Sequence, residues 1–225
     1  SSLDNSGGKL LSSQALTLVV NKALSNLKGN ISGAALSINS DSLDNTEGMI
    51  SSRSGLDVTV NTALTNAQGT LIGDGNVNLS AATANNRLGQ LASKQNLDAQ
   101  IGNLQQQNGQ MLAQGTLTLR GDALDNRQNG FIGATQALSD KGQVLAQKAL
   151  TLNIAQTTNR GNGLLSSQAG LTLIGSTLDN TGGALSALKA LGIDLSAALD
   201  NSQGLISGED ILTLNAGSLT NTAGS

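Results

Sequence analysis

Acidic residues at regular intervals are the first side chains here suited to chemistry. Asp4, Asp44, Asp125, Asp179 and Asp200 each sit between a leucine and an asparagine in the phrase Leu-Asp-Asn. Glycoside hydrolysis runs on two carboxyl groups held roughly 5–10 Å apart across a sugar. Asp179 and Asp200, expected one coil apart in a repeating fold, are the pair to consider. Nothing else in the chain joins them. There is no His for proton transfer near neutral pH and no Cys nucleophile. The fixed place of these acids just before an asparagine marks them as turn residues rather than a converging pair. Glu47, Glu209 and Asp210 stand alone and read as solvated turn positions. No phosphate-binding or dinucleotide fingerprint occurs, and the Gly161–Gly163 stretch reads as a turn. The glycine–aspartate pattern of calcium-binding β-rolls is missing as well. The expected site therefore has no catalytic residue, no cofactor and no metal.

The elements that must carry these residues follow from a repeat. The phrase opens at Leu3, Leu24, Leu43, Leu64, Ala84, Leu104, Leu124, Leu138, Thr157, Leu178, Leu199 and Leu219, and most of these openings lie about 20 residues apart. A fixed period of this length is the mark of a solenoid. In the coil from Leu3 to Ala23, Gly7 and Gly8 predict a tight bend where positive φ is cheap. A short strand follows, and then ALTLVV, whose period-2 alternation puts Leu16 and Leu18 on one face. Asn21 and Lys22 are expected to turn the chain into the next coil.

Two inward columns recur. Large residues follow the glycine: Leu10, Ile31, Ile50, Leu71, Leu91, Met111, Ile132, Val144, Leu164, Leu185 and Ile206. Two places on stand small ones: Ser12, Gly33, Ser52, Gly73, Ser93, Ala113, Ala134, Ala146, Ser166, Ala187 and Gly208. A large column beside a small one suits a narrow interior. The predicted fold is all-β, a right-handed parallel β-helix (solenoid) of about 11–12 coils and about 20 residues per coil, with handedness from the crossover rule. At about 4.8 Å per coil the rod is roughly 50–60 Å long. Residues 1–225 form one β-helix repeat domain with an irregular coil at 124–157.

Composition narrows the function. The chain has 12 Lys and Arg against 15 Asp and Glu, a net charge of −3. That leaves no electrostatic footprint for nucleic acid or an anionic membrane. No apolar run approaches the roughly 18 residues that span a bilayer, so no membrane insertion is expected. The absence of Cys rules out disulfides and fits a cytosolic protein or one exported unfolded. Phe131 is the lone aromatic, so pyranose stacking is poorly supported. Thr17, Thr118, Thr151, Thr172 and Thr213 form one broken outward file, unlike the paired files of an ice-binding face.

The third residue of the phrase makes a file of amides: Asn5, Asn26, Asn45, Asn66, Asn86, Asn126, Asn159, Asn180, Asn201 and Asn221, with Gln106 and Asp140 as departures. An amide both donates and accepts, so stacked copies can bond from coil to coil. A structural Asn ladder is the reading adopted; an amide-lined ligand groove is the competing one.

The phrase L-D-N-x-x-G-x-[LI]-[SG], followed by Leu-Thr-Leu or its variants, resembles the filamentous haemagglutinin repeat over essentially the whole chain. That resemblance implies the shaft of a large exoprotein exported by two-partner secretion through an outer-membrane Omp85-type transporter. It implies a secreted or cell-surface location on a Gram-negative bacterium. It also implies either a haemagglutinin-type adhesin or an effector of contact-dependent growth inhibition. No secretion domain or toxin of that family is evident, and the chain, opening at Ser1 inside a repeat, reads as a fragment of a longer protein. The expectation is a non-catalytic, monomeric rod projecting an adhesive or toxin-delivering region toward target cells.

One segment departs from the period. Leu138 opens a phrase well before a full repeat has passed since Leu124. This predicts a shortened coil, absorbed by a kink with Phe131 filling the gap. Arg127, Phe131, Asp140, Lys141 and Lys148 cluster there as candidate contacts to a target-cell receptor or glycan. Three functions thus follow: a shaft, a receptor- or glycan-binding module centred on the irregular coil, or a β-helical polysaccharide-processing enzyme.

Overall fold

A computed structural model describes residues 1–126, 131–134, 143–146, 149–161 and 163–225. They contain strands and turns and no helix. Every strand pair is parallel, and pairing joins residues about one repeat apart, as in Leu10 with Ile31 and Leu16 with Leu36. The chain is a β-solenoid.

Each coil begins with a short strand such as Lys9–Leu11, Asn30–Gly33 or Met49–Ser52, and these stack into an eleven-stranded narrow sheet. A sharp corner leads to a long strand such as Leu16–Ser25, Leu36–Asp44 or Leu56–Thr65, and these build the fourteen-stranded broad sheet. Near the C-terminus the long strand divides, into Leu171–Gly175 and Thr177–Asp179, then Leu191–Leu195 and Ala198–Asp200.

The expected turn at Asn21 and Lys22 is not a chain reversal. The long strand runs through it, and the register between neighbouring coils shifts between Val20 and Ala23, Ser40 and Leu43, and Val60 and Ala63. Coils of unequal length are matched by bulges here, which bend a strand while its neighbours stay paired. This corner absorbs the spread of spacings read from the sequence.

The core follows from alternation. Ile31, Ile50, Leu56, Met111, Leu117 and Leu150 are all fully enclosed. The small column has a steric cause. A Cβ on Gly33 would come within 2.8 Å of the Ala35 carbonyl, and one on Gly73 within 2.7 Å of the Val77 side chain. There the narrow sheet turns the corner into the broad one, so only small side chains fit.

Two sequence expectations are corrected. Gln143 pairs with Leu164, Val144 with Leu165 and Ala146 with Ser167, so the inward residues are Leu165 and Ser167 rather than Leu164 and Ser166. Arg160–Gly163 holds one more residue between Asn159 and the strand than three-residue turns such as Leu27–Gly29 and Thr46–Gly48 do, which moves the whole strand one place along. Second, Leu124 pairs directly with Thr157, so no coil opening at Leu138 lies between them on the broad sheet. Leu138 itself lies outside the described residues.

Among the described residues two inward positions of the broad sheet, Ser40 and Thr157, break the apolar rule with an unpartnered hydroxyl. Ser40 is 1% exposed, lies between Val20 and Val60 in the stack, and its hydroxyl has no hydrogen-bond partner. An unpaired buried hydroxyl costs about 1–3 kcal/mol. Ser40→Val, which continues the column of its neighbours, should therefore raise stability by about 1 kcal/mol. Chemical denaturation of the two chains reads this directly, and a lowered midpoint would show that the hydroxyl is satisfied.

Candidate functional site

The Asn-x-x-Gly corner is where buried polar groups concentrate. Asn26, Asn45, Asn66, Asn86, Asn180 and Asn201 are between 0% and 2% exposed. In a first run the amide Nδ2 donates to the Oδ1 of the next coil's asparagine: Asn5 to Asn26, Asn26 to Asn45, Asn45 to Asn66 and Asn66 to Asn86, all at 2.7 Å. A second run joins Asn159 to Asn180, Asn180 to Asn201 and Asn201 to Asn221 at 2.7–2.8 Å. The same nitrogen also faces two carbonyls, its own turn glycine's and one in the next coil. For Asn45 these are Gly48 at 3.2 Å and Thr70 at 3.1 Å. The file is thus head to tail, every amide pointing the same way along the rod.

The turn glycine is required by this packing and not by its φ. The left-handed residue is the one before it: Gly7, Lys28, Glu47, Gln68, Leu88, Asn108, Gly182, Gln203 and Ala223 all have φ between 52° and 64°. That position accepts many side chains. The following glycine does not. A Cβ on Gly69 would sit 2.1 Å from the Asn45 backbone carbonyl and 2.7 Å from Asn66 Oδ1, and Gly48, Gly89 and Gly183 repeat the clash. The sequence expectation of a bend at Gly7–Gly8 holds, but the glycine repeated in every coil is there for close approach.

Four of the five recurrent acids cap the same turns. Asp44 accepts from the backbone N–H of Thr46 at 2.9 Å and from its hydroxyl at 2.6 Å. Asp4 accepts from the Ser6 N–H, Asp179 from the Thr181 N–H and hydroxyl, and Asp200 from the Ser202 N–H. These are side chain-to-backbone turns of the Asp-x-Ser/Thr kind. Asp179 and Asp200 do pair one coil apart, but Asp179 is also engaged by Arg160. The hydroxyl and the N–H of Ser202 hold the Asp200 carboxyl below the ordinary carboxylate range; burial opposes this and Arg160 adds a smaller pull downward. A proton donor for hydrolysis needs the opposite shift. The Ser or Thr two places after Asp4, Asp44, Asp179 and Asp200 was the signal for this arrangement; Asp125 has Arg127 at that place.

Among the described residues the ladder is interrupted between Gln106 and Asn159. Gln106 Oε1 still accepts from Asn86 at 2.9 Å, but its Nε2, carried one methylene further, donates to the Phe131 carbonyl at 3.1 Å. Asn126 Oδ1 is left without a partner. Sequence reasoning did not reveal a second polar contact beside the break, Gln107 Nε2 with Asp125 Oδ2. Of the five candidate contact residues, Phe131 is described and is only 5% exposed. It pairs with Gln110, on the outward-facing column of the narrow sheet. Arg127, Asp140, Lys141 and Lys148 lie outside the described residues.

The outer surface carries open depressions with few charges. One of about 570 Å³ is lined by Thr59, Ser80, Gln100, Gly102, Arg120 and Asp122. Another of about 620 Å³ runs past Asp125, Thr158, Arg160 and Asp179. The arginines at their rims are paired with neighbours, Arg120 with Asp98 and Arg160 with Asp179. Among the described residues no group of three acids could hold a metal ion.

The family model described as the haemagglutinin repeat matches residues 1–72, 31–153 and 145–225. No curated protein and no solved structure matches the chain.

Two measurements test this corner. Asn66→Ala removes an acceptor from Asn45 and a donor from Asn86, so it should cost about 3 kcal/mol, against less than about 1 kcal/mol for Asn221→Ala at the exposed end of the file. Equal costs by denaturant unfolding would mean that the ladder does not hold the coils together. For Asp200 the linkage sign is that of a carboxyl lowered on folding. Its stabilising contribution is present above the unfolded-state value of 3.8 and is lost as pH falls through the lower folded-state value. Carboxyl NMR titration should place Asp200 below the ordinary range and show it moving up in Ser202→Ala; an unmoved titration would remove the hydroxyl as the cause.

Proposed function

Since this chain belongs to the haemagglutinin repeat family, we propose that it is a non-catalytic shaft segment of a large exoprotein at the Gram-negative cell surface. Its work is geometric: a stiff rod holds an adhesive or toxin-delivering region away from the cell and toward a target. The observation carrying this reading is the uninterrupted stack, in which strand after strand pairs in parallel register from Leu3 to Thr220. Polar side chains rich in reactive potential are spent on holding coils together. Asp4, Asp44, Asp179 and Asp200 cap turns and the amides face one another.

Export by two-partner secretion through an Omp85-type transporter agrees with the composition. A chain without Cys meets no disulfide exchange in an oxidising periplasm. A solenoid whose coils contact only their neighbours can fold progressively as it emerges.

The test is binding of the purified chain to intact target cells. A chain that circular dichroism shows to be β-rich should give no saturable binding, leaving recognition to other parts of the exoprotein. Saturable binding would overturn the passive-shaft reading and place a receptor site on the rod.

A further inference from the structure

From the unequal layering of the two sheets we infer that the segment 131–142 is an in-register insertion that adds one strand to the narrow sheet, adds none to the broad sheet, and bends the rod toward the broad sheet. This goes beyond the shaft reading and does not depend on which region the shaft carries.

The registers carry the inference. On the broad sheet Leu117–Asp125 pairs directly with Leu150–Thr158, from Leu117 with Leu150 to Asp125 with Thr158. No layer intervenes. On the narrow sheet two strands occupy the corresponding interval. Phe131–Ala134 pairs along its length with Gln110–Ala113, and Gln143–Ala146 pairs along its length with Leu164–Ser167. The two strands meet each other through Ala134 and Ala146. The narrow sheet therefore has one layer more than the broad sheet across the same stretch of rod.

The spacing shows that this is an insertion. Gln110 stands as far from Gln143 along the chain as Leu117 does from Leu150. Taking out 131–142 shortens both separations to the one at which Gln110 pairs with Phe131 and Gln143 pairs with Leu164. One cut restores both sheets together, which an arbitrary loop would not do. Removing 131–142 would carry Gln143 into the place of Phe131 and leave a regular solenoid.

The bend follows from the sizes. An extra strand lengthens one face by about 4.8 Å, and sheets packed face to face lie about 10 Å apart, so the axis turns by roughly 25°. At this corner Asn126 and Asn159 follow directly paired residues, Asp125 and Thr158, yet the second run of amide bonds starts afresh at Asn159. A wedge at this corner would separate the amides, which meet closely in every regular coil.

Distances between paired spin labels test it, because a chain with no Cys accepts labels only where cysteines are introduced. Thr70→Cys with Ala184→Cys spans six layers of the narrow sheet. Asn78→Cys with Gly192→Cys spans five layers of the broad sheet, and a Cβ at Gly192 meets nothing within 4 Å. Double electron–electron resonance should give about 29 Å for the first pair and about 24 Å for the second. In the chain lacking 131–142 the narrow-sheet distance should shorten by about 5 Å, with the broad-sheet distance unchanged. Equal distances in the full chain would overturn the bend. A narrow-sheet distance that does not shorten in a folded deletion variant would overturn the assignment to this segment. Should that variant fail to fold, the full-chain comparison still decides the bend.

Discussion

A buried primary amide must be satisfied at both ends, and this single requirement organises the corner on which every coil depends. An isolated asparagine inside the rod would forfeit hydrogen bonds to water and cost stability. Stacked at the coil repeat, each amide finds its acceptor in the next one. The 2.7 Å contacts from Asn5 through Asn86 leave little freedom in where each turn sits. The turn glycine is a consequence, since the backbone carbonyl of the previous asparagine occupies the space where a Cβ would be. The asparagine and the glycine thus form one device.

That device also sets register. In a parallel sheet a slip of one residue would send the apolar set outward. Here the amide file pins each coil at one corner, and the unequal coil lengths are taken up within the long strands, which bulge between Val20 and Ala23 or Val60 and Ala63. A tight corner and a tolerant strand in the same coil explain how spacings can vary from coil to coil while the core columns stay aligned. The acids before the asparagines belong to the tight corner. Their carboxylates hold the turn N–H groups, and this use of them is incompatible with the freedom a catalytic pair needs.

Most of this architecture was legible because it is local and repeated. Alternation in segments such as ALTLVV showed which residues face inward, and the asparagine column showed where coils touch. What escaped was nonlocal or depended on one added residue. The strand after Asn159 begins one place later than the column predicts, because its turn contains Arg160–Gly163, and Leu164 and Leu165 are indistinguishable by type. The positive-φ position was hidden, since it takes Lys28, Glu47 or Leu88 as readily as Gly7; the glycine beside it drew attention instead. The irregular segment misled most. The short interval between Leu124 and Leu138 looks like a coil cut short, whereas on the broad sheet Leu124 meets Thr157 directly. Sequence spacing counts residues along the chain and carries no record of which face they are laid on.

This distinction bears on how a solenoid shaft can vary. Because coils contact only their neighbours, stability is close to a sum over layers and interfaces, and an irregularity is confined to the layers that touch it. Above and below the irregular coil the inward columns resume, with Leu117 on Leu150 and Leu150 on Leu171 fully enclosed. The local costs are an orphaned Asn126 oxygen and a hydroxyl on Thr157 left unpartnered in a file of leucines. Each is of the order of 1–3 kcal/mol, which many regular layers can carry. A globular core with one shared interior would have to repack throughout to accept the same strand. A rod built by repetition can take on a change of direction at one layer while the pairing elsewhere is kept, so its shape can be altered without altering the unit it is made from.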